Sequence, residues 1–169
     1  MPFFSRLPLR LNSIDYSGGW FFITTCTLDR HSPLGQVRDG LIQLSDLGRI
    51  VDEEWRRTGE LRPDVELDAF VVMPNHLHAV LALEGSGDKT SVLSNIMAQF
   101  KSVTSKRIAR LMGRKGAPFW QRGYFDHSVR NDGDLLRIRT YIENNPLQWD
   151  LDRENLNKSG QSELEAAWF

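Results

Sequence analysis

Apolar and polar positions repeat with two different periods along this chain, and each change of period marks an element. Gly19 to Leu28 (GWFFITTCTL) is dense in aromatic and β-branched residues and predicts a strand. From Ser45 to Trp55, the apolar residues Leu47, Ile50, Val51 and Trp55 recur at helical spacing, and Ser45 or Asp46 suits the N-cap. Val65 to Met73 and His76 to Leu83 read as two further strands. Pro74-Asn75 between them supplies a turn, so the pair predicts a hairpin, with Glu84 to Asp88 as the loop that follows. Thr90 to Met112 carries the clearest helical stripe, through Val92, Ile96, Phe100, Val103, Ile108 and Leu111, and is broken by Gly113 to Pro118. Tyr124 to Val129 predicts a fourth strand, and Asp132 to Glu143 a last helix stopped near Pro146. The order β-α-β-β-α-β plus a C-terminal helix predicts an α+β fold: a ferredoxin-like split βαβ with an antiparallel sheet.

The 169 residues fit one domain (1–169), with a core over about 16–150 and a polar tail over 151–169. Cys26 is the one cysteine, which excludes an internal disulfide framework and suggests a reducing, cytoplasmic location. The opening MPFFSRLPLR lacks the apolar core of a signal peptide, and no run approaches the roughly 18 apolar residues of a membrane span. The net charge of -1 weighs against a generic nucleic-acid binder. The distribution of charge changes that picture. Lys101, Lys106, Arg107, Arg110, Arg114, Lys115, Arg122 and Arg130 follow one another with only Asp126 opposing them. Lys101, Lys106, Arg107 and Arg110 are therefore candidates for holding a DNA backbone, although a solvated basic helix explains the charge pattern as well.

The candidate chemistry lies in three places. His76 and His78 occupy positions i and i+2 of a strand, so both imidazoles project to one face, where they could bind a metal ion; two unrelated histidines at a strand start is the plainer reading. Tyr141 and Asn145 stand one helical turn apart and could present a nucleophile beside an amide ligand. Alone, Tyr141 reads better as an ordinary tyrosine packed beside Ile138 and Ile142. Pro146 disfavours helical geometry at Asn145, which predicts a frayed helix end there with the amide reaching inward. Trp120, Gln121 and Arg122 lie in an aromatic run, Phe119 to Phe125, which suits either unpaired bases or a turn with core aromatics.

Together, VVMPNHLHAVL (Val71 to Leu81), FWQRGYFDHSVRN (Phe119 to Asn131) and YIENNP (Tyr141 to Pro146) resemble the REP-associated tyrosine transposases, relatives of small insertion-sequence transposases that move as single-stranded DNA. The resemblance covers about Trp20 to Trp149. It implies an HUH nuclease domain in which His76 and His78 bind a divalent metal ion and Tyr141 is the nucleophile. Asn145 matches the position of the third metal ligand, as a shorter side chain than the glutamine of some relatives. The expected ion is Mg2+ or Mn2+, although two imidazoles also suit Zn2+. The residues after Pro146 (LQWDLD) lack the glycine-containing ending of many members. The implied reaction cleaves and rejoins single-stranded DNA, with hairpins at its sites, through a 5′-phosphotyrosine, in a monomer or homodimer. Two rival readings are a non-catalytic single-stranded nucleic-acid-binding domain and another HUH endonuclease, such as a replication initiator. Of the three tyrosines, Tyr16 precedes the first strand and Tyr124 begins one, which leaves Tyr141 as the one matching the motif.

Overall fold

The computed structural model describes residues 19–84, 88–114, 116, 118–152 and 154–156. Tyr16, Lys115 and the polar tail beyond 156 lie outside the described residues. The elements in chain order are β1 (Trp20–Cys26), β2 (Gly35–Arg38), β3 (Leu41–Leu44), α1 (Asp46–Leu61), β4 (Val65–Val72), β5 (His76–Leu83), α2 (Lys89–Leu111), β6 (Phe125–Ser128) and α3 (Asp132–Asn144). The main sheet has the order β4-β5-β1-β6, and every neighbouring pair is antiparallel. β5 thus lies between β1 and β4, and β1 between β5 and β6. That double split is the ferredoxin-like arrangement expected from the element order.

The hairpin β2–β3 was not among the predicted elements, and it forms a separate two-stranded sheet. Its turn places Asp39 and Gly40 at φ 53 and 70, the left-handed pair that an Asp-Gly dipeptide favours. A Cβ on Gly40 would also meet the Leu147 side chain at 2.3 Å, so this hairpin tip lies close against the segment that follows α3.

Strand alternation sends side chains to two covered faces. Phe21 and Ile23 of β1, with Leu77, Ala79, Leu81 and Leu83 of β5, pack against Val51 and Trp55 of α1 and against the Leu93–Ile96–Phe100 stripe of α2. Trp20 and Phe22, with Val80 and Ala82, face Leu135, Ile138 and Ile142 of α3. β5 is buried along its whole length, which is why it reads as a nearly continuous apolar run interrupted by two histidines.

Local chemistry fixes each helix. Ser45 caps α1 by accepting from Gly48 N at 3.1 Å. A Cβ on Gly48 would stand 2.0 Å from Leu34 O, so only glycine lets the helix approach that loop. α3 is capped by Asn131, which accepts from Asp134 N at 2.9 Å. It is also clamped to β4: Arg139 donates to both carboxylate oxygens of Asp68, with Nε–Oδ1 at 2.8 Å. A register irregularity between Leu67 and Phe70 interrupts β4 where Asp68 makes this contact. Among the described residues no helix is long and apolar enough to cross a membrane.

Candidate active site

The sheet register assembles the site. Phe125, Thr24, His78 and Val71 form one row across β6, β1, β5 and β4, and Cys26 stands opposite His76 at the end of the sheet. Directly opposed residues share a face, and this is the face that α3 covers. His76 and His78 are 0% and 3% exposed, with ring centroids 4.3 Å apart.

His78 is hydrogen-bonded at both ring nitrogens, and His76 at Nδ1. His78 Nδ1 lies 2.7 Å from Thr24 Oγ1, and its Nε2 lies 3.2 Å from the Tyr141 hydroxyl. The Tyr141 ring meets Phe22 edge-on, with centroids 6.2 Å apart. His76 Nδ1 lies 2.8 Å from Asn75 Oδ1, and its Nε2 lies 4.0 Å from Asp152 Oδ2. Asn145 Nδ2 donates to the same Asp152 oxygen at 3.0 Å.

One nitrogen from each histidine and one Asp152 oxygen all lie within 4.8 Å of one another, and all three residues are buried. Asn145 Oδ1 is buried beside them with no hydrogen-bond partner among the described residues. Leaving a buried carbonyl oxygen unsatisfied costs about 1–3 kcal/mol, which a ligand in this position would offset. Two imidazoles, one carboxylate and one amide oxygen are a mixed nitrogen and oxygen donor set, and they fit a divalent cation.

Asp152 was not among the candidates read from the sequence. It follows the 3-10 turn Pro146–Leu151 and belongs to a short buried segment with Glu154 and Asn155. Glu154 N donates to Asp152 Oδ1 at 2.8 Å, and Arg30 Nε lies 3.1 Å from Glu154 Oε2. The Cys26 thiol donates to Glu154 at 3.4 Å. Burial, followed by the Glu154 charge, pushes the Cys26 pKa up to about 12, so the thiol stays protonated. No periodicity marks Asp152, because its position depends on contacts far away in sequence.

Several expected site residues stand elsewhere than the sequence suggested. Asn145 is not at a frayed end: it keeps helical angles (φ -57, ψ -42) and is 2% exposed. Pro146 begins the 3-10 turn directly after it, so the chain stays helical through the junction. Trp120 is 5% exposed; its Nε1 donates to Thr104 Oγ1 at 2.8 Å, and its ring packs near Phe100 and Phe119. It is therefore a core residue and offers no open ring face for a base. Arg107 pairs with Glu53 at 2.7 Å and Glu54 at 2.6 Å on α1. Lys101 is half-buried and straps the loop by donating to the Gln121 and Gly123 carbonyls; burial lowers its pKa. Lys106 and Arg110 are exposed, but α2 covers the sheet face opposite the histidines. Gln121 lies at the site's end of the sheet, where its N–H donates to Cys26 O at 2.9 Å, with exposed Arg122 next in the chain.

With this geometry in place, residues 54–145 match the family model described as "Transposase IS200 like". The chain belongs to this family. An uncharacterized protein of Haemophilus influenzae is 30% identical over 88% of this chain and 92% of its own length. The REP-associated tyrosine transposase of Escherichia coli is 32% identical over 49% of this chain and 45% of its own. Among solved structures, a REP-associated tyrosine transposase bound to a REP hairpin superposes with a TM-score of 0.55 and 28% identity, over 78% of this chain and 68% of that one. The motif resemblance and these relatives agree: this transposase is an enzyme that acts on DNA, built on the fold of the REP-associated tyrosine transposases.

Proposed function

We propose that this transposase cleaves and rejoins single-stranded DNA at hairpin-associated sites, with Tyr141 as nucleophile and a divalent cation, Mg2+ or Mn2+, held by His76, His78, Asp152 and Asn145. It acts in the cytoplasm. The observation that carries this reading is the Tyr141 hydroxyl 3.2 Å from His78 Nε2, beside the His76–His78–Asp152 group. The relative solved with a REP hairpin supports hairpin DNA as the substrate.

The Tyr141 oxygen attacks a backbone phosphorus in line. A bond forms from Oη to phosphorus, the bond from phosphorus to the 3′ oxygen breaks, and the 5′-phosphate stays linked to Tyr141. The phenolic proton passes to water, and the departing 3′ oxygen takes one up. Attack by another 3′-hydroxyl on the phosphotyrosine reverses these bond changes and reseals the strand, so no ATP is consumed. Phe22 supports the tyrosine ring edge-on, and Thr24 and Asn75 hold the two imidazoles. A bound cation supplies neutralisation of the phosphate charge and orientation of its oxygens. Gln121 and Arg122 meet the strand near the site, while Lys106 and Arg110 can reach only flanking DNA.

The test is incubation with hairpin-bearing single-stranded DNA and Mn2+, followed by mass spectrometry of a trapped adduct. DNA on the Tyr141 peptide is the expected result. An adduct on Tyr124 would overturn the assignment of the nucleophile, and the absence of any adduct would favour a domain that binds without cleaving.

A further inference from the structure

We infer that Asn75 is a positioning residue that selects the tautomer of His76 and, through the same amide, anchors the segment carrying Asp152. This inference rests on the metal-site reading above and adds to it the group that orients the site. The Asn75 amide is fully used. Its Nδ2 donates to Arg30 O at 2.9 Å and to Glu154 O at 2.6 Å. Carbonyl oxygens only accept, so these two contacts fix which end of the amide is nitrogen. The remaining atom, Oδ1, lies 2.8 Å from His76 Nδ1. It too only accepts, so His76 Nδ1 carries the proton. A neutral imidazole has a single N–H, so the lone pair is left on Nε2, the nitrogen directed toward Asp152. The backbone of Asn75 is itself held: Thr27 donates to its carbonyl from N at 2.8 Å and from Oγ1 at 3.1 Å.

The contrast with His78 makes the point specific. Its Nδ1 faces the Thr24 hydroxyl, which can donate or accept and so selects neither tautomer. Asn75 has no such freedom. Its two donor contacts also join chain segments distant in sequence, because Glu154 is two residues from Asp152. One side chain thereby orients a ring nitrogen and the carboxylate facing it.

The experiment uses the full chain with isotope-labelled histidine. Proton–nitrogen NMR correlations are recorded at about pH 8, above the ordinary histidine range, with the His76 signals assigned from His76→Ala. The wild type should show the proton on Nδ1 of His76. Asn75→Ala should move it toward Nε2 and weaken Mn2+ binding by about 10–100-fold. Asn75→Asp keeps an acceptor and should keep the proton on Nδ1, with Mn2+ affinity closer to wild type. Protonation at Nε2 in the wild type overturns the inference even if Asn75→Ala does not fold, and so does an unchanged tautomer in a folded Asn75→Ala. A wild type that shows the Nδ1 proton but binds no Mn2+ sinks the metal-site reading instead and leaves the tautomer assignment standing.

Discussion

Tyr141 meets the histidine pair because Phe22 supports its ring edge-on and the α3 stripe Ile138–Ile142 sets its height above the sheet. Tyr141→Phe keeps that packing and removes only the hydroxyl. Cleavage and the covalent adduct should fall by on the order of 10^3-fold or more, with Mn2+ binding retained; gel assays and calorimetry measure the two separately. Asp152 contributes by charge, so Asp152→Asn should weaken Mn2+ binding about tenfold or more, equivalent to about 1.4 kcal/mol, with little change in melting temperature. Trp120 gives the opposite profile. Its ring fills the core and its N–H satisfies Thr104, so Trp120→Ala should cost about 3–5 kcal/mol of stability in denaturant unfolding. A stable Trp120→Ala that binds DNA poorly would restore the base-stacking role.

At the scale of elements, most of the architecture was legible because helix and strand periods are local properties. The predicted hairpin of β4 and β5, the α2 stripe and the start of α3 appear in the structure within a residue or two of where the pattern places them. α1 runs on to Leu61, past the end of its recognised stripe. The β2–β3 hairpin falls outside the predicted elements, although Asp39-Gly40 between alternating residues is a turn signal in its own right. The junction of β6 and α3 depends on one carboxylate. Burial alone would raise the Asp134 pKa, but hydrogen bonds from His127, Arg137 and Arg130 N hold it below the ordinary value of 3.8. A depressed folded pKa contributes stability that is fully present above the unfolded value and lost as pH falls through the folded one. The melting-temperature gap between wild type and Asp134→Asn should therefore be full near neutrality and close below about pH 4. A gap that persists unchanged in acid would show that the contact does not depend on charge.

For the whole molecule, the sheet separates two surfaces: one carries the histidines under α3, and the other is covered by α1 and α2. Exposed Lys106 and Arg110 stand on the far side from Tyr141. Replacing both with glutamine should weaken binding of long hairpin DNA, reducing its salt slope by about one to two, while cleavage of a short oligonucleotide stays near wild type. Equal loss on both substrates would place these residues at the cleavage site. By itself the sequence determined the order of the helices and the main-sheet strands, the shared face of His76 and His78, and the one-turn spacing from Tyr141 to Asn145. These follow from periods of 2 and 3.6 residues that any local segment displays. Only the tertiary structure decided that Asp152 joins the histidines, that Trp120 is core, that Arg107 is spent on Glu53 and Glu54, and that the basic helix lies behind the sheet. Each of these is a contact between segments far apart in the chain, and such contacts leave no periodic mark on either segment.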